Sequence, residues 1–328
     1  MLAPQRAALV ALVCVHRVGC PCGASLPEES WENLGTGRGA NPAAAPDGNR
    51  PRPNGAGSYT GCMTGSTAVS AFASVLTAPN PGPMTLDGTN SYVLRFPGRE
   101  SCVVVDPGPD DEGHLRALAA EGPVELVLIT HWHRDHTDGI DRLAELTGAP
   151  VRAALPEHCR GADPLADGEV LQAAGLEIRV VASPGHTADS LCFFLPEDGP
   201  RGAVLTGDTV LGRGTTSLGY PDGTLADYFA TLDRLEEFGS APALPAHGQL
   251  VPDLSATARF YRAHRQERLD QVRAALATLG GSGTGEPPVS AVADLVYADI
   301  DASIRPAVEH GVAAQLHYLR GLEELASD

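Results

Sequence analysis

The sequence predicts an α/β protein in which sheets covered by helices are followed by a helical C-terminal region. Three observations carry this. Between Val69 and Ala246, apolar runs of strand length alternate with stretches of helical spacing. One of them, Val124–Thr130, is apolar except for Glu125 and Thr130, the pattern of a strand buried on both faces. From Leu254 onward, apolar residues recur at helical spacing only. The 328 residues, 43% of them hydrophobic, suffice for one large domain with a small appendage.

In chain order, residues 1–62 are rich in Gly and Pro and lack apolar periodicity. Such a segment cannot bury enough surface to offset its ordering entropy, so a disordered extension is expected. Arg6 and the apolar run Ala7–Val15 faintly resemble a secretory signal, but the run stops at His16-Arg17 and no small-residue cleavage site follows. The expectation is therefore a cytoplasmic protein, with Met63 as an alternative start. Strands are expected at 69–77, 91–96, 101–105, 124–130, 170–173, 176–182, 190–195, 203–206 and 243–246. Helices are expected around Leu115–Ala119 and Ile140–Leu146. Thr224-Leu-Ala-Asp227 has a capping-box-like pattern and opens a further helix with Leu225, Tyr228, Phe229, Leu232 and Leu235 on one stripe. A long helix carries Phe260, Leu269, Val272 and Leu276. Gly280–Pro288 reads as a linker, and 289–300 and 305–325 as two more helices. The expected catalytic domain spans 68–253, and the helical appendage 255–328.

The formal net charge is −18, from 41 acidic and 23 basic side chains, the latter all Arg. Such a chain repels polyanions, so nucleic acid is not the default substrate. No apolar run reaches the roughly 18 residues of a membrane span. Of seven cysteines, Cys14, Cys20, Cys22 and Cys62 fall in the first 62 residues, and Cys102, Cys159 and Cys192 are scattered. That is no disulfide framework; the last three read as small buried hydrophobes in a reducing compartment.

The chemistry concentrates in His131-Trp-His133-Arg-Asp135-His136, directly after the buried strand Val124–Thr130. A rigid strand end is where fixed ligands belong. Four ligand-type side chains in six residues are hard to satisfy when buried without a cation. His186 in Ser-Pro-Gly-His-Thr, Asp208 in Leu-Thr-Gly-Asp-Thr and His247 in Pro-Ala-His-Gly each follow a further strand-like run. Together they are five His and two Asp, a donor set suited to borderline divalent metals such as zinc.

The spacing His-x-His-x-Asp-His, followed by distant His, Asp and His, resembles the metallo-β-lactamase superfamily over residues 68–253. The resemblance implies a four-layer αβ/βα sandwich. It implies two metal ions, zinc by default: the first held by His131, His133 and His186, the second by Asp135, His136 and His247, with Asp208 bridging. It also implies hydrolysis, because two such ions sharpen a water into a nucleophile near neutrality. Asp135 and Asp208 are then the candidate proton acceptors. Met84-Thr-Leu-Asp-Gly-Thr-Asn-Ser-Tyr92, Thr130–His136 and Gly207-Asp-Thr-Val-Leu-Gly-Arg-Gly-Thr-Thr216 resemble the lactamase-beta-2-like group, as does the Arg-rich helix. That group includes an endoribonuclease and carries a winged-helix-like C-terminal module. Two departures stand out. Asp138 replaces the usual Gly, and little sequence remains for a β wing before Asp328.

Several residues keep two readings. Asp106, in Val-Val-Asp-Pro-Gly, orients a ligand histidine or caps a turn. Thr89 and Asn90 face substrate or form a plain turn, and Arg213 meets an anionic substrate or solvent. Trp132 and Arg134 read as packing or pairing residues. His16, His114, His158, His264, His310 and His317 read as surface or satisfied polar groups. Arg262, Arg265 and Arg268 recur every three residues and form either a solvated face paired with acids or a phosphate-binding strip. The first functional expectation is a dinuclear hydrolase of a small thioester, ester or other carbonyl substrate. The alternative is a metal-dependent endoribonuclease, with RNA as partner. A non-catalytic metal-binding module would require lost ligands, and none are lost.

Overall fold

The computed structural model describes residues 65–280, 288–300 and 302–327. The expected N-terminal extension, and nearly all of the expected linker, lie outside the described residues. Two sheets are present. The first is six-stranded, in the order β1 (Thr67–Ala68), β2 (Ala73–Thr77), β3 (Asn90–Leu94), β4 (Cys102–Val105), β5 (Val124–Leu128), β6 (Val151–Arg152). The second is five-stranded and runs β11 (Ala243–Pro245), β10 (Ala203–Gly207), β9 (Leu191–Leu195), β8 (Leu176–Ala182), β7 (Val170–Ala173).

The apolar runs explain the layering. Within β4, Val103 and Val105 point to the space between the sheets, while Cys102 and Val104 point outward beneath helices. Both faces are buried, which is why the run does not alternate with polar residues. The inter-sheet core joins Tyr92, Leu94, Leu126 and Leu128 to Ile178, Val180, Phe193 and Leu205. Helices α1 (Glu112–Ala119) and α3 (Ile140–Thr147) cover the outer face of the first sheet through Leu115, Leu118, Ile140 and Leu143. Between them, α2 (Arg134–Thr137) is a single turn.

Helix α4 (Leu225–Glu236) covers the second sheet. Thr224 caps it by accepting from the Asp227 amide, as the capping pattern foretells. Helices α5 (Leu254–Leu279), α6 (Val289–Val296) and α7 (Arg305–Ser327) follow. Their Leu269, Val272, Val292, Val312 and Leu316 share one apolar cluster with Tyr228 and Leu232 of α4. The fold is thus the four-layer α/β sandwich that the resemblance implied, with a helical C-terminal region. No described helix is long and apolar enough to cross a membrane.

Two local expectations are corrected. The run 69–77 is not one strand: Ser70 Oγ and the Ala71 amide bond to the Asp198 carboxylate at 2.5 and 2.9 Å, which bends the chain ahead of β2. Of the three arginines of α5, Arg262 keeps the half-solvated pairing with an acid, but Arg265 and Arg268 form neither a solvated face nor a phosphate strip. Arg265 and Arg268 are only 6% and 8% exposed and stack over Tyr228 and Tyr297. Arg262 pairs with Asp233 and lies over Phe229. The face carrying Arg265 and Arg268 packs inward, with Arg262 at its rim.

Candidate metal centre

Strand polarity brings the predicted ligands together. β8, β10 and β11 run in the same direction, since β9 is antiparallel to both β8 and β10 and β11 is parallel to β10. Their C-terminal ends, leading to His186, Asp208 and His247, therefore lie along one edge. The first sheet is tied to this edge at two places. The Leu191 amide donates to Thr130 O at 2.8 Å, next to His131. The Asn90 amide donates to Ala246 O at 2.7 Å, next to His247. The approach is close: a Cβ on Gly207, whose φ is +49°, would lie 2.8 Å from Thr130 Cβ. Only glycine permits this contact and this backbone together.

All seven predicted side chains meet there. One group comprises His131, His133, His186 and Asp208, the other Asp135, His136 and His247, with the ligand-type atoms of each within 4.8 Å of one another. His133 Nδ1 lies 3.0 Å from both His131 Nε2 and His186 Nε2. In the second group Asp135 Oδ2 lies 3.3 Å from His136 Nε2 and 3.2 Å from His247 Nε2. Asp208 stands between them. Its Oδ1 is 3.3 Å from His247 Nε2 and 3.7 Å from His136 Nε2, while Oδ2 is 3.6 Å from His186 Nε2 and 4.0 Å from His131 Nε2.

Partners behind the ligands set which ring nitrogen faces inward. Thr130 Oγ1 donates to Asp106 Oδ2 at 2.7 Å, so His131 Nδ1, 3.0 Å away, donates to that hydroxyl. His186 Nδ1 donates to Ser217 O at 2.7 Å, and His247 Nδ1 to Gly88 O at 3.2 Å. His136 Nδ1 lies 2.9 Å from Asp106 Oδ2. In each of these rings Nδ1 is engaged by its outer partner, so Nε2 is the atom turned toward a cation, free at once in His131 and His186 and after loss of a proton in His136 and His247. Of Asp106's two readings the geometry selects the first: it orients His136, from a backbone with φ of +53°.

The charges fit a metal. Burial drives His131 well below the ordinary imidazole value, takes His133 down to about 4 and lowers His186. These three are neutral donors at pH 7. Burial works against charge on His136 and His247 too, but the surrounding carboxylates win. Asp106 leads in holding His136 well above its usual value, and Asp208 in bringing His247 to about 9. Burial would raise Asp135 and Asp208, yet these imidazoles pull both far below the carboxylate range. Without a metal, protons on the second group supply the positive charge that the carboxylates require. Among the buried atoms of the described residues that lack a hydrogen-bond partner, two belong to this centre, His136 Nε2 and Asp208 Oδ1. Orphaned polar atoms of this kind are explained by a bound ion, and the N/O set suits zinc-like cations.

The other predicted residues are placed as follows. Thr89 is buried and donates from Oγ1 to Asp135 Oδ2 at 3.1 Å. The Asn90 side-chain amide donates to Pro245 O at 3.0 Å and Gly248 O at 2.9 Å, and so ties down the chain on both sides of His247. Arg213 is exposed. Trp132 donates to Asp222 at 3.0 Å, and Arg134 pairs with Asp138 at 3.0 Å, giving the aspartate that replaces the usual Gly a local partner. His114 is satisfied by Ser91 Oγ at 2.8 Å. The sequence reading missed Ser217, Thr216 and Gly88 as supports of ligands. Backbone carbonyls carry no residue-type signal.

The sequence matches the model of the metallo-beta-lactamase superfamily over residues 84–247. The chain belongs to the metallo-β-lactamase superfamily. It is 36% identical over 225 residues to the lactamase-like protein vrtG of Penicillium aethiopicum, covering 65% of this chain and 68% of that protein. It is 33% identical over 242 residues to the atrochrysone carboxyl ACP thioesterase dmxR1 of Cryptosporiopsis sp. (strain 8999), covering 69% of this chain and 72% of that one. Among solved structures, a metallo-beta-lactamase family protein from Thermus thermophilus superposes with a TM-score of 0.62 at 24% identity, covering 76% of this chain and 94% of that chain. A beta-lactamase domain protein from Burkholderia ambifaria gives 0.64 at 22%, covering 78% and 88%. Both share the fold of this chain. As a member of this superfamily the chain is a hydrolase.

Proposed function

We propose that this metallo-β-lactamase-fold hydrolase cleaves thioesters, with two zinc ions held by His131, His133 and His186 and by Asp135, His136 and His247, and Asp208 between them. Residues 68–253 then carry the chemistry, and 255–328 support it. The observation that carries the substrate class is the relatives named as acyl carrier protein thioesterases, one of them matched over 69% of this chain. When bound, paired zinc ions supply a nucleophilic water at neutral pH and polarise the carbonyl under attack.

The chain's own groups do the rest. Asp106 and Thr130 fix His136 and His131, so the ligands need no reorganisation. Asp135 and Asp208 are the carboxylates placed to accept the proton of the attacking water, and Asp135, whose side chain is 27% exposed against 11% for Asp208, has the more direct route for passing it to solvent. A thiol has a pKa of about 8.5, so a thiolate leaves without the strong general acid that an amide nitrogen requires. The inward packing of Arg265 and Arg268 takes both out of a phosphate-binding strip, one of the two grounds for an RNA substrate.

Zinc-loaded protein should release thiol from acyl-N-acetylcysteamine and acyl-coenzyme A thioesters, followed with a thiol reagent, and Asp208→Ala should abolish release. Hydrolysis of lactones, β-lactams or single-stranded RNA with no thiol release would replace this reading.

A further inference from the structure

Helix α5 reaches the loop behind the metal centre from outside the two sheets. Its Arg265 is 6% exposed, no ion pair to it is found among the described residues, and its Nε is buried without a hydrogen-bond partner. Burying a guanidinium without a carboxylate is costly. What it does contact is specific. Its Nη2 donates to Thr216 O, and its guanidinium carbon lies 5.4 Å from the Tyr228 ring centroid. The next residue, Ser217, is the carbonyl that receives His186 Nδ1, and Thr216 Oγ1 sits 3.0 Å from the same nitrogen. Tyr228 in turn packs beneath the ligand. It donates to Thr209 O at 2.8 Å, and a Cβ on Gly185, beside His186, would lie 2.6 Å from Tyr228 Cα.

One turn earlier on α5, Tyr261 holds the other end of the same loop. Its hydroxyl donates to Gly214 O at 2.8 Å and accepts from the Leu211 amide at 3.1 Å. The loop from Thr209 to Ser217 joins ligand Asp208 to the carbonyl that orients ligand His186, so α5 grips it at both ends.

We propose that Arg265, with Tyr261, is a positioning residue for the metal ligand His186, so that the C-terminal helical region is a working part of the metal centre. This rests on the metal-centre reading above, but not on the choice of substrate. Arg265 acts through the Thr216–Ser217 peptide, which fixes the His186 ring and leaves its Nε2 lone pair pointing inward. Outer partners of metal-bound histidines are worth about 10–100-fold in metal affinity, and a residue one peptide further out belongs at the lower end.

The test is zinc titration of the full chain against a competing chelator, with His186→Ala identifying the binding step that depends on that ligand. Arg265→Met should weaken that step about 10-fold and leave the other step within about 2-fold. Arg265→Lys, which keeps a donor for Thr216 O, should recover most of the loss, and exposed Arg273→Ala should lose nothing. Thermal unfolding of the metal-free variants separates positioning from packing. If Arg265→Met lowers metal-free stability while both zinc steps match wild type, the proposal is overturned. Should Arg265→Met fail to fold, Tyr261→Phe carries the test: a weakened His186-dependent step supports the proposal, and an unchanged one overturns it. Wild-type protein that binds zinc but leaves every thioester intact would sink the proposed function and leave this inference standing.

Discussion

Replacing Asp106 by Asn changes one atom and should disable half of the metal centre. The carboxylate accepts three hydrogen bonds: Oδ1 from the Thr130 amide at 2.8 Å, Oδ2 from Thr130 Oγ1 at 2.7 Å and from His136 Nδ1 at 2.9 Å. It is 1% exposed, so water cannot substitute. An asparagine offers one acceptor and one donor group. With its NH2 toward His136, that ring must switch its proton to Nε2, the atom a metal needs. With its NH2 toward the Thr130 amide, two donors face each other and a buried N–H is left unsatisfied, at about 1–3 kcal/mol. Asn tolerates a φ of +53° as well as Asp does, so backbone strain is not the cause. Zinc bound through His136 should weaken about 10–100-fold, and the step carried by His131, His133 and His186 should weaken less, because Asp106 reaches His131 only through Thr130 Oγ1. Chelator competition reads both steps. Asp106→Asn protein that takes up zinc like wild type in both would refute the reasoning.

Other outcomes follow from the same geometry. In metal-free protein His247 is held near 9, so it is charged at pH 7 and must lose its proton to bind a metal. Calorimetry in buffers of different ionisation enthalpy should therefore show proton release at pH 7, and zinc affinity should climb towards pH 9. The sign for stability is opposite. A folded value above the ordinary 6.5 gives the metal-free protein stability that is complete below pH 6.5 and lost as pH rises through about 9; a metal-free unfolding curve that is flat from about pH 6 to 10 would contradict it. Gly185→Ala places a Cβ 2.6 Å from Tyr228 at a φ of +143° and should cost at least about 2 kcal/mol in chemical denaturation. Arg134→Ala removes a side chain that is 85% exposed, and should leave both the denaturation midpoint and turnover unchanged. A large loss of turnover would mean that Arg134 touches substrate.

The seven converging side chains were legible in the sequence for a physical reason. Each sits just past an apolar run, where a buried strand ends and polar imidazoles have no cheap partner. The layers were legible because runs such as Val124–Thr130 lack polar alternation. What escaped was set by distant partners. The spacing of Arg262, Arg265 and Arg268 shows that they share a face, but periodicity does not say which way that face turns. The bend before β2 depends on Asp198, 128 positions from Ser70. Strand β6 has two residues, too few for any pattern. Asp106 could be read two ways because a turn aspartate and a histidine-orienting aspartate look alike until His136, 30 positions later, is seen beside it.

The most direct test is turnover against metal content in one preparation. Protein stripped with a chelator and then given zinc stepwise should be inert towards thioesters when empty, and should regain thiol release as it fills to about two ions per chain. Full thioester turnover by the stripped protein, or by the Asp208→Ala variant, would contradict the account.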